Sequence, residues 1–252
     1  MPPAHEIVFG VHPVREALRA RRRKLVRLHL RSRAGDELAD LPRLAQKAGI
    51  PVVAADGETL ARLAGEEART QGVLLEAGPL PELGLAELLP GLSEAACLVA
   101  LDGVEDPQNV GAIVRVAEAA GAAGLILTRR HAPPLSPALA RASAGAIEHL
   151  PVARVANLPR CFKDLKEHGF WVFGGDAAEG RDLFGLEARL VGGRKLLVLG
   201  AEGRGLRPSV LSEVDHRVRI PLGGRVASLN VSAAAAVILF EFGRRQRVTA
   251  GA

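Results

Sequence analysis

The sequence predicts an α/β protein in two parts, a small N-terminal α/β domain and a larger domain built on a mainly parallel sheet. Three observations carry that expectation. Strand-like apolar runs alternate with helical runs through most of the 252 residues, which is how a helix-covered parallel sheet reads. A Pro/Gly-punctuated stretch interrupts the alternation after residue 77. Three later strand ends carry glycine, at Gly174-Gly175, Gly200-Ala-Glu-Gly-Arg-Gly205 and Ile220-Pro-Leu-Gly-Gly, where backbone groups can approach a flat ligand.

Residues 7 to 77 read as a compact unit. A helix is expected from about His12 to Arg21, a strand at Leu25–Leu30, a helix around Asp36–Ala48 and a strand at Val52-Val53, then a helix near Glu58–Ala64 and a strand at Gly72–Glu76. The segment 78–95, with Gly78-Pro-Leu-Pro-Glu-Leu-Gly and Leu89-Pro-Gly, is expected to be a linker around a short apolar helix. The second domain, 96–252, opens with strand Cys97–Leu101, helix Val110–Ala120, strand Gly124–Leu127 and helix Pro137–Ala142. It continues with strand Val152–Arg154, helix Leu158–His168 and strand Phe170–Gly174. Strand Lys195–Leu199, helix Arg207–Leu211, strand His216–Ile220 and helix Ser228–Arg245 complete it.

The composition is that of a globular protein, with 48% hydrophobic and 24% charged residues, and no apolar run is long enough to cross a bilayer. Met1-Pro-Pro-Ala-His-Glu lacks a basic stretch followed by an apolar one, so a cytoplasmic location is expected. Cys97 and Cys161, the two cysteines, are too few and too far apart for a zinc site or a disulfide framework, and they read as packing residues. The seven histidines show no metal-ligand spacing, so no metal is expected. The net charge is +5 and the pI about 9.8, which suits a polyanionic partner. Between residues 15 and 33 nine Arg or Lys face a single acid, Glu16. Arg15, Arg19, Arg21, Arg22 and Arg23 in that run, which extends to Arg33, read as a phosphate-contacting patch, with a solvated helix end as the bland alternative.

Two constellations in the larger domain carry chemistry. In Asp102-Gly-Val-Glu-Asp-Pro-Gln-Asn-Val-Gly-Ala-Ile-Val-Arg115, Pro107 ends a strand and Asn109 has a structural reason to be there as a helix N-cap. Arg115 stands among small and apolar residues of a helix that packs on the sheet, where a charge needs a polar or anionic partner. The loop Gly200-Ala-Glu202-Gly-Arg-Gly205 lacks the spacing of a dinucleotide fingerprint and of a P-loop. Leu199, Ile220, Leu222 and Leu229 would give such a site apolar walls. Ser228 reads as the N-cap of the last helix, which leaves Asn230 poorly explained, because Asn is a mediocre residue in a first helical turn.

Three segments together resemble the SpoU (TrmH-like) family of RNA ribose 2'-O-methyltransferases, in the SPOUT superfamily. They are Asp106-Pro-Gln-Asn109-Val-Gly-Ala-Ile-Val-Arg115-Val-Ala-Glu-Ala-Ala-Gly121, Leu199-Gly-Ala-Glu202-Gly-Arg-Gly205, and Ile220-Pro-Leu-Gly-Gly with Ser228-Leu-Asn-Val-Ser232, in the family's order. Phe9-Gly-Val-His-Pro-Val-Arg-Glu-Ala-Leu18 and Thr70-Gln-Gly-Val-Leu74 are similar to the L30e-like substrate-binding domain of the RlmB-type members, which act on a guanosine of 23S rRNA. Leu222 stands where Met is frequent in the family, and Arg69 precedes Thr70-Gln71 where His is common.

The resemblance implies a C-terminal trefoil knot, a homodimer whose active site draws on both subunits, and S-adenosylmethionine as cofactor. Carried over position by position, it implies cofactor contacts at Gly174, Gly175, Leu199, Gly200, Ala201, Ile220, Leu222, Ser228 and Leu229. It implies catalytic or substrate-placing roles for Asn109, Arg115, Glu202, Ser228 and Asn230, with the arginine as a proposed base. A guanidinium stays protonated in ordinary sites, so Arg115 is expected instead to hold a phosphate and favour ionisation of the hydroxyl, with Asn109 and Asn230 orienting the ribose. With no Tyr, one Trp and seven Phe, RNA recognition is expected to rest on shape and phosphate contacts more than on base stacking. Two alternatives stay open, a transfer RNA substrate and a non-catalytic RNA-binding or assembly protein.

Overall fold

A computed structural model describes residues 5–32, 35–177 and 179–250. The chain runs β1 (Glu6–Phe9), α1 (Val11–Ala20), β2 (Leu25–Arg31), α2 (Leu41–Lys47), β3 (Val52–Ala55), α3 (Gly57–Ala64) and β4 (Val73–Ala77). It continues through α4 (Leu85–Leu88), β5 (Cys97–Asp102), α5 (Pro107–Ala119), β6 (Gly124–Thr128), α6 (Pro137–Ala142), β7 (Val152–Val155) and α7 (Leu158–Glu167). Then come β8 (Trp171–Gly175), β9 (Arg181–Asp182), α8 (Ala188–Gly192), β10 (Lys195–Gly200), α9 (Pro208–Leu211), β11 (His216–Arg219) and α10 (Val231–Ala250). Among the described residues no helix is long and apolar enough to cross a membrane.

Two compact units divide the chain, and their boundaries differ from the expected domains. The first comprises the residues up to Pro81 together with Pro133–His149, and the second comprises Glu82–Ala132 and Leu150 onward. Residues 82–95, read from sequence as linker, are built into the second unit. Leu83 forms a parallel bridge with Ala153, and Leu88 packs so closely over Gly124 that a Cβ there would lie 2.9 Å from its Cδ1. Residues 133–149 leave the expected second domain and are held to the first unit by packing and by an ion pair described below.

The first unit is a four-stranded sheet in the order β1-β4-β2-β3, with β4 antiparallel to β1 and β2, and β3 parallel to β2. Strand alternation sends Val8, Leu28, Val73 and Leu75 to one face, where α1 and α2 cover them with Val14, Leu18 and Leu41, and sends Ile7 and Leu74 to the other, under Leu60 of α3. The expected single helix at 36–48 is a 3-10 turn, Asp36–Leu38, followed by α2, because Pro42 suits the first turn of a new helix and not the interior of an old one. The short strand β1, four residues of mixed polarity, escapes a periodicity reading. Helix α6 packs on β1, and the turn Ala146–Glu148 packs on α1.

The second unit is a seven-stranded, wholly parallel sheet in the order β7-β6-β5-β10-β8-β11-β9. Its central strands β5, β6 and β10 are buried almost throughout, as strands covered on both faces must be. One face is closed by α7, whose Leu158, Phe162 and Leu165 are fully buried against Leu98, Ile126 and Leu196. On the other face α5 packs against α10. Strand β10 lies between β5 and β8, so the strand order reverses beside it, and a crevice opens at the carboxyl ends of such strands.

Candidate active site

The last helix begins at Val231 and not at Ser228, and its cap is Asn230. Asn230 Oδ1 accepts from the Ser232 amide at 2.9 Å and from Ser232 Oγ at 2.6 Å, and its carbonyl accepts from Ala234 N at 2.9 Å. Ser228 therefore does not cap the helix, and Asn230 has the structural reason that the sequence left unexplained. The converse holds at α5. Its cap is Asp106, whose carboxylate accepts from the amides of Gln108 and Asn109 at 3.1 and 3.2 Å, so Asn109 is not the cap and its side chain is free for another partner.

That partner is Asn230. Asn230 Nδ2 donates to Asn109 Oδ1 at 3.1 Å and to Glu202 Oε1 at 2.5 Å, and Glu202 Oε1 also accepts from Val231 N at 3.5 Å. The first turn of α5, the loop after β10 and the start of α10 thus meet at one hydrogen-bonded cluster. The Oδ1, the Nδ2 and the main-chain carbonyl of Asn230 are all used internally. Asn109 Nδ2 has no partner among the described residues.

Beside this cluster lies a cleft of about 620 Å³ at the carboxyl ends of β8, β10 and β11. Gly175, Leu199, Gly200, Ala201, Ile220, Leu222, Ser228 and Leu229 line it, together with Glu202 and Asn230. Val231, Ala234 and Ile238, which sequence reasoning missed, close it from α10; their 3-4 spacing marks one helical face and is the signal that could have found them. Gly200 is required by close approach, since a Cβ there would lie 2.2 Å from the backbone of Gly205. The loop returns on itself between them, with an antiparallel bridge from Ala201 to Gly205 and Gly205 at φ +64°.

Two expected positions lie elsewhere. Gly174 does not line the cleft. A Cβ at Gly174 would meet Leu206 at 2.9 Å and Val214 at 3.0 Å, so its glycine makes room for core packing on the opposite face of β8. Arg115 is exposed and does not line the cleft. The buried stripe of α5 is Val110, Ile113, Val114 and Ala117, and position 115 falls outside it. The anionic partner expected for a charge packed on the sheet is accordingly not needed, and none is present among the described residues.

The basic run of the first unit divides sharply. Arg23 is buried, its guanidinium bonded to Glu148 through Nε at 3.1 Å and Nη2 at 2.9 Å, and to Glu6 at 3.0 Å and the Gly78 carbonyl at 3.2 Å. It is unavailable to phosphate, and with the packing of α6 on β1 and of the Ala146–Glu148 turn on α1 it ties residues 133–149 to the N-terminal unit. Glu148 is pushed above the usual carboxylate range by burial, with Arg23 opposing. Arg15 is likewise engaged, by Asp40 at 2.9 Å; that guanidinium holds the Asp40 carboxyl below its usual range. Arg22 is half-buried and bonded to the Glu148 carbonyl. Arg19 is half-exposed beside Glu16 at 2.8 Å, while Arg21, Lys24, Arg27 and Arg31 are exposed. Arg33 lies outside the described residues. Burial pushes the thiols of Cys97 and Cys161 up, to about 11 and about 12, so both are protonated packing groups.

Comparison with known proteins accords with this geometry. Residues 96–240 match the SpoU rRNA methylase family, and residues 7–83 match the RNA 2'-O ribose methyltransferase substrate-binding family. The chain is 38% identical to the 23S rRNA (guanosine-2'-O-)-methyltransferase RlmB of Ralstonia nicotianae, over 96% of this chain and 97% of that protein. The SpoU methyltransferase AviRb from Streptomyces viridochromogenes, solved in complex with AdoMet, superposes with a TM-score of 0.79 at 25% identity, covering 98% of this chain and 91% of that one. An AdoMet-bound rRNA methyltransferase from Sinorhizobium meliloti gives a TM-score of 0.77 at 26% identity, covering 96% and 87%. The chain belongs to the SpoU rRNA methylase family and carries that family's substrate-binding domain ahead of its methylase domain.

Proposed function

We propose that this protein is an S-adenosylmethionine-dependent RNA methyltransferase that methylates a ribose 2'-hydroxyl, with a guanosine of 23S rRNA as its foremost substrate. The observation that carries the reading is the junction of the Asn109–Asn230–Glu202 cluster with the cleft at the carboxyl ends of β8, β10 and β11. The guanosine assignment rests on the similarity to the Ralstonia enzyme along nearly the whole chain. The similarity to a bacterial rRNA methyltransferase supports a cytoplasmic location.

The cleft has the chemistry that an adenosine needs. Leu199, Ile220, Leu222 and Leu229 supply apolar walls, and Gly175 and Gly200, without side chains, let a flat base edge approach the strand-end backbone. Bound there, S-adenosylmethionine would supply a sulfonium methyl as the electrophile. The residues of the chain do the rest. Glu202 fixes Asn230, and Asn230 fixes Asn109, so that the Nδ2 of Asn109 is aimed by its neighbours and available to a ribose oxygen. Ser228, exposed on the rim of the cleft, offers a hydroxyl to the same substrate. Arg115 acts as a fixed cation on an RNA phosphate, favouring loss of the 2'-hydroxyl proton without itself accepting it.

Arg115 is exposed on α5 while the cleft opens elsewhere in the unit, which supports an active site shared within a homodimer. A trefoil-knotted C-terminal chain belongs to the same reading, supported by β10 inserted between β5 and β8 and by the tight return at Gly200 and Gly205. In the first unit Arg19, Arg21 and Arg27 are the residues proposed to meet RNA phosphates.

The test is incubation with tritiated S-adenosylmethionine and total RNA lacking its modifications, followed by nuclease mapping. Label at one guanosine 2'-O of 23S rRNA is the expected result. Label confined to transfer RNA would keep the reaction and discard the substrate, and cofactor binding with no transfer would overturn the enzymatic reading.

A further inference from the structure

Strand β5 is apolar until its last residue, Asp102, whose carboxylate is fully shielded from solvent. A charge in that position persists only with a partner that satisfies it. The partner is Arg207, at the far end of the loop that leaves β10. Arg207 donates its Nε to Asp102 Oδ1 at 2.6 Å and its backbone amide to Oδ2 at 2.8 Å, and its Nη2 lies 2.6 Å from Oδ1. The main-chain carbonyl of Asp102 accepts from the amide of Ala201 at 3.1 Å. One residue therefore grips both ends of the loop 201–207.

What lies between the two grips is the working part of the site. Glu202, Gly203, Arg204 and Gly205 all face the cleft, and Glu202 is the anchor of Asn230. Leaving Asp102 in the other direction, the chain turns at Gly103, with φ +71°, into the loop that leads to α5 and Asn109 in its first turn. Arg207 itself does not line the cleft, and half of its side chain is exposed, so it acts through the loop.

We propose that Asp102 and Arg207 form a positioning clamp that holds the 201–205 wall of the cleft and sets Glu202 in register with Asn230 and Asn109. The proposal rests on the methyl-transfer reading above and adds two residues to it. The guanidinium fork matters, because a lysine ammonium cannot engage the carboxylate through two nitrogens while the backbone amide takes its other oxygen.

Hydrogen exchange in the cofactor-free protein reads the clamp without reference to catalysis. In Arg207→Ala the amides of Ala201 and Gly205 are expected to exchange about tenfold faster than in the parent, and Tm should fall, because the shielded Asp102 carboxylate loses its guanidinium partner. Calorimetric titration should show S-adenosylmethionine bound about tenfold more weakly, and kcat should fall with the KM for RNA unchanged. Arg207→Lys should not restore either property. Asp102→Asn should reproduce both losses, and adding Arg207→Ala to it should cost little more. Unchanged exchange and unchanged cofactor affinity in Arg207→Ala would overturn the clamp, as would a rise in the RNA KM alone with a shallower salt dependence, which would make Arg207 an RNA contact. Failure of the unsubstituted protein to bind S-adenosylmethionine would instead overturn the methyl-transfer reading on which the proposal stands.

Discussion

Asn230 and Asn109 stand 121 positions apart in the chain and meet side chain to side chain, Nδ2 to Oδ1, at 3.1 Å. The contact exists because each asparagine occupies a different place in its helix from the one that its sequence suggests. Asp106 has taken the cap of α5, releasing Asn109, and Asn230 caps α10 with its oxygen while its nitrogen reaches Asn109 and Glu202. Structural and functional roles are divided between the two ends of one amide.

That division is separable by substitution. Serine caps helices about as well as asparagine but cannot bridge to Asn109 and Glu202. Asn230→Ser should therefore unfold within about 0.5 kcal/mol of the parent in urea yet lose about 100-fold in kcat/KM. Asn230→Ala should lose the same activity and about 1 kcal/mol of stability in addition. Equal stability losses in the two variants would show that the amide nitrogen, and not the cap, carries the structural load.

Arg115 offers a test of both its role and the proposed dimer. Arg115→Ala should lower kcat by about 100-fold or more, and Arg115→Lys should recover little of it, because a point charge does not reproduce a planar fork on phosphate. A pH profile of Arg115→Ala that loses one titrating limb would restore the case for a base. If the site is shared between subunits, mixing inactive Arg115→Ala with inactive Asn109→Ala should regain about a quarter of the parent's sites, since random pairing makes half the dimers mixed, each with one intact site. Mixtures as inactive as their components would exclude a shared site.

The basic run yields opposite expectations for neighbouring arginines. Arg23→Ala strands the Glu148 carboxylate in the interior and should cost about 3–5 kcal/mol in chemical denaturation. Arg21→Ala and Arg27→Ala should leave stability within about 0.5 kcal/mol, while each reduces the slope of log K against log salt for RNA binding by about 1. Filter binding across a salt series separates the two groups.

How much of this is legible in the sequence depends on what decides each feature. The parallel sheet is legible because β5, β6 and β10 are buried on both faces and read as continuous apolar runs, whereas β9, the two residues Arg181 and Asp182, carries no such signal. The glycine-bearing strand ends are legible as a group, but the face each glycine presents is not. Gly174 and Gly175 differ only in the direction of the pleat, and the neighbours that settle the matter, Leu206 on one side and Ile238 on the other, are remote in sequence. The same limit applies to Arg23, where local charge density suggests a surface and the burying partner, Glu148, is 125 residues away. Cap assignment fails for a subtler reason, since Asp106 and Asn109 are both competent caps and the choice between them follows from Pro107, which suits the first helical position.

The acid limit of stability is set in part at the end of the chain. Glu241, buried on α10, is bonded by Arg244 at 2.7 Å and Arg245 at 2.6 Å, and these bonds, that to Arg244 foremost, hold its carboxyl down to about 2 against the opposing effect of burial. The second arginine is itself bonded to the carbonyl of Phe184, at 2.5 Å, and to that of Leu186, so the carboxylate ties α10 to the segment before α8. A carboxyl whose folded pKa lies below its unfolded value contributes stability that is complete above the unfolded value and is lost as pH falls through the folded one. The contribution should therefore hold above about pH 5 and fade between there and about pH 2. Glu241→Gln should be less stable than the parent at pH 7, by on the order of 2 kcal/mol once solvent screening of the half-exposed Arg244 is allowed for, and the gap should narrow progressively on acidification. Urea denaturation of both proteins from pH 7 to pH 3 measures it, and a gap that stays constant over that range would show that Glu241 contributes through packing and not through its charge.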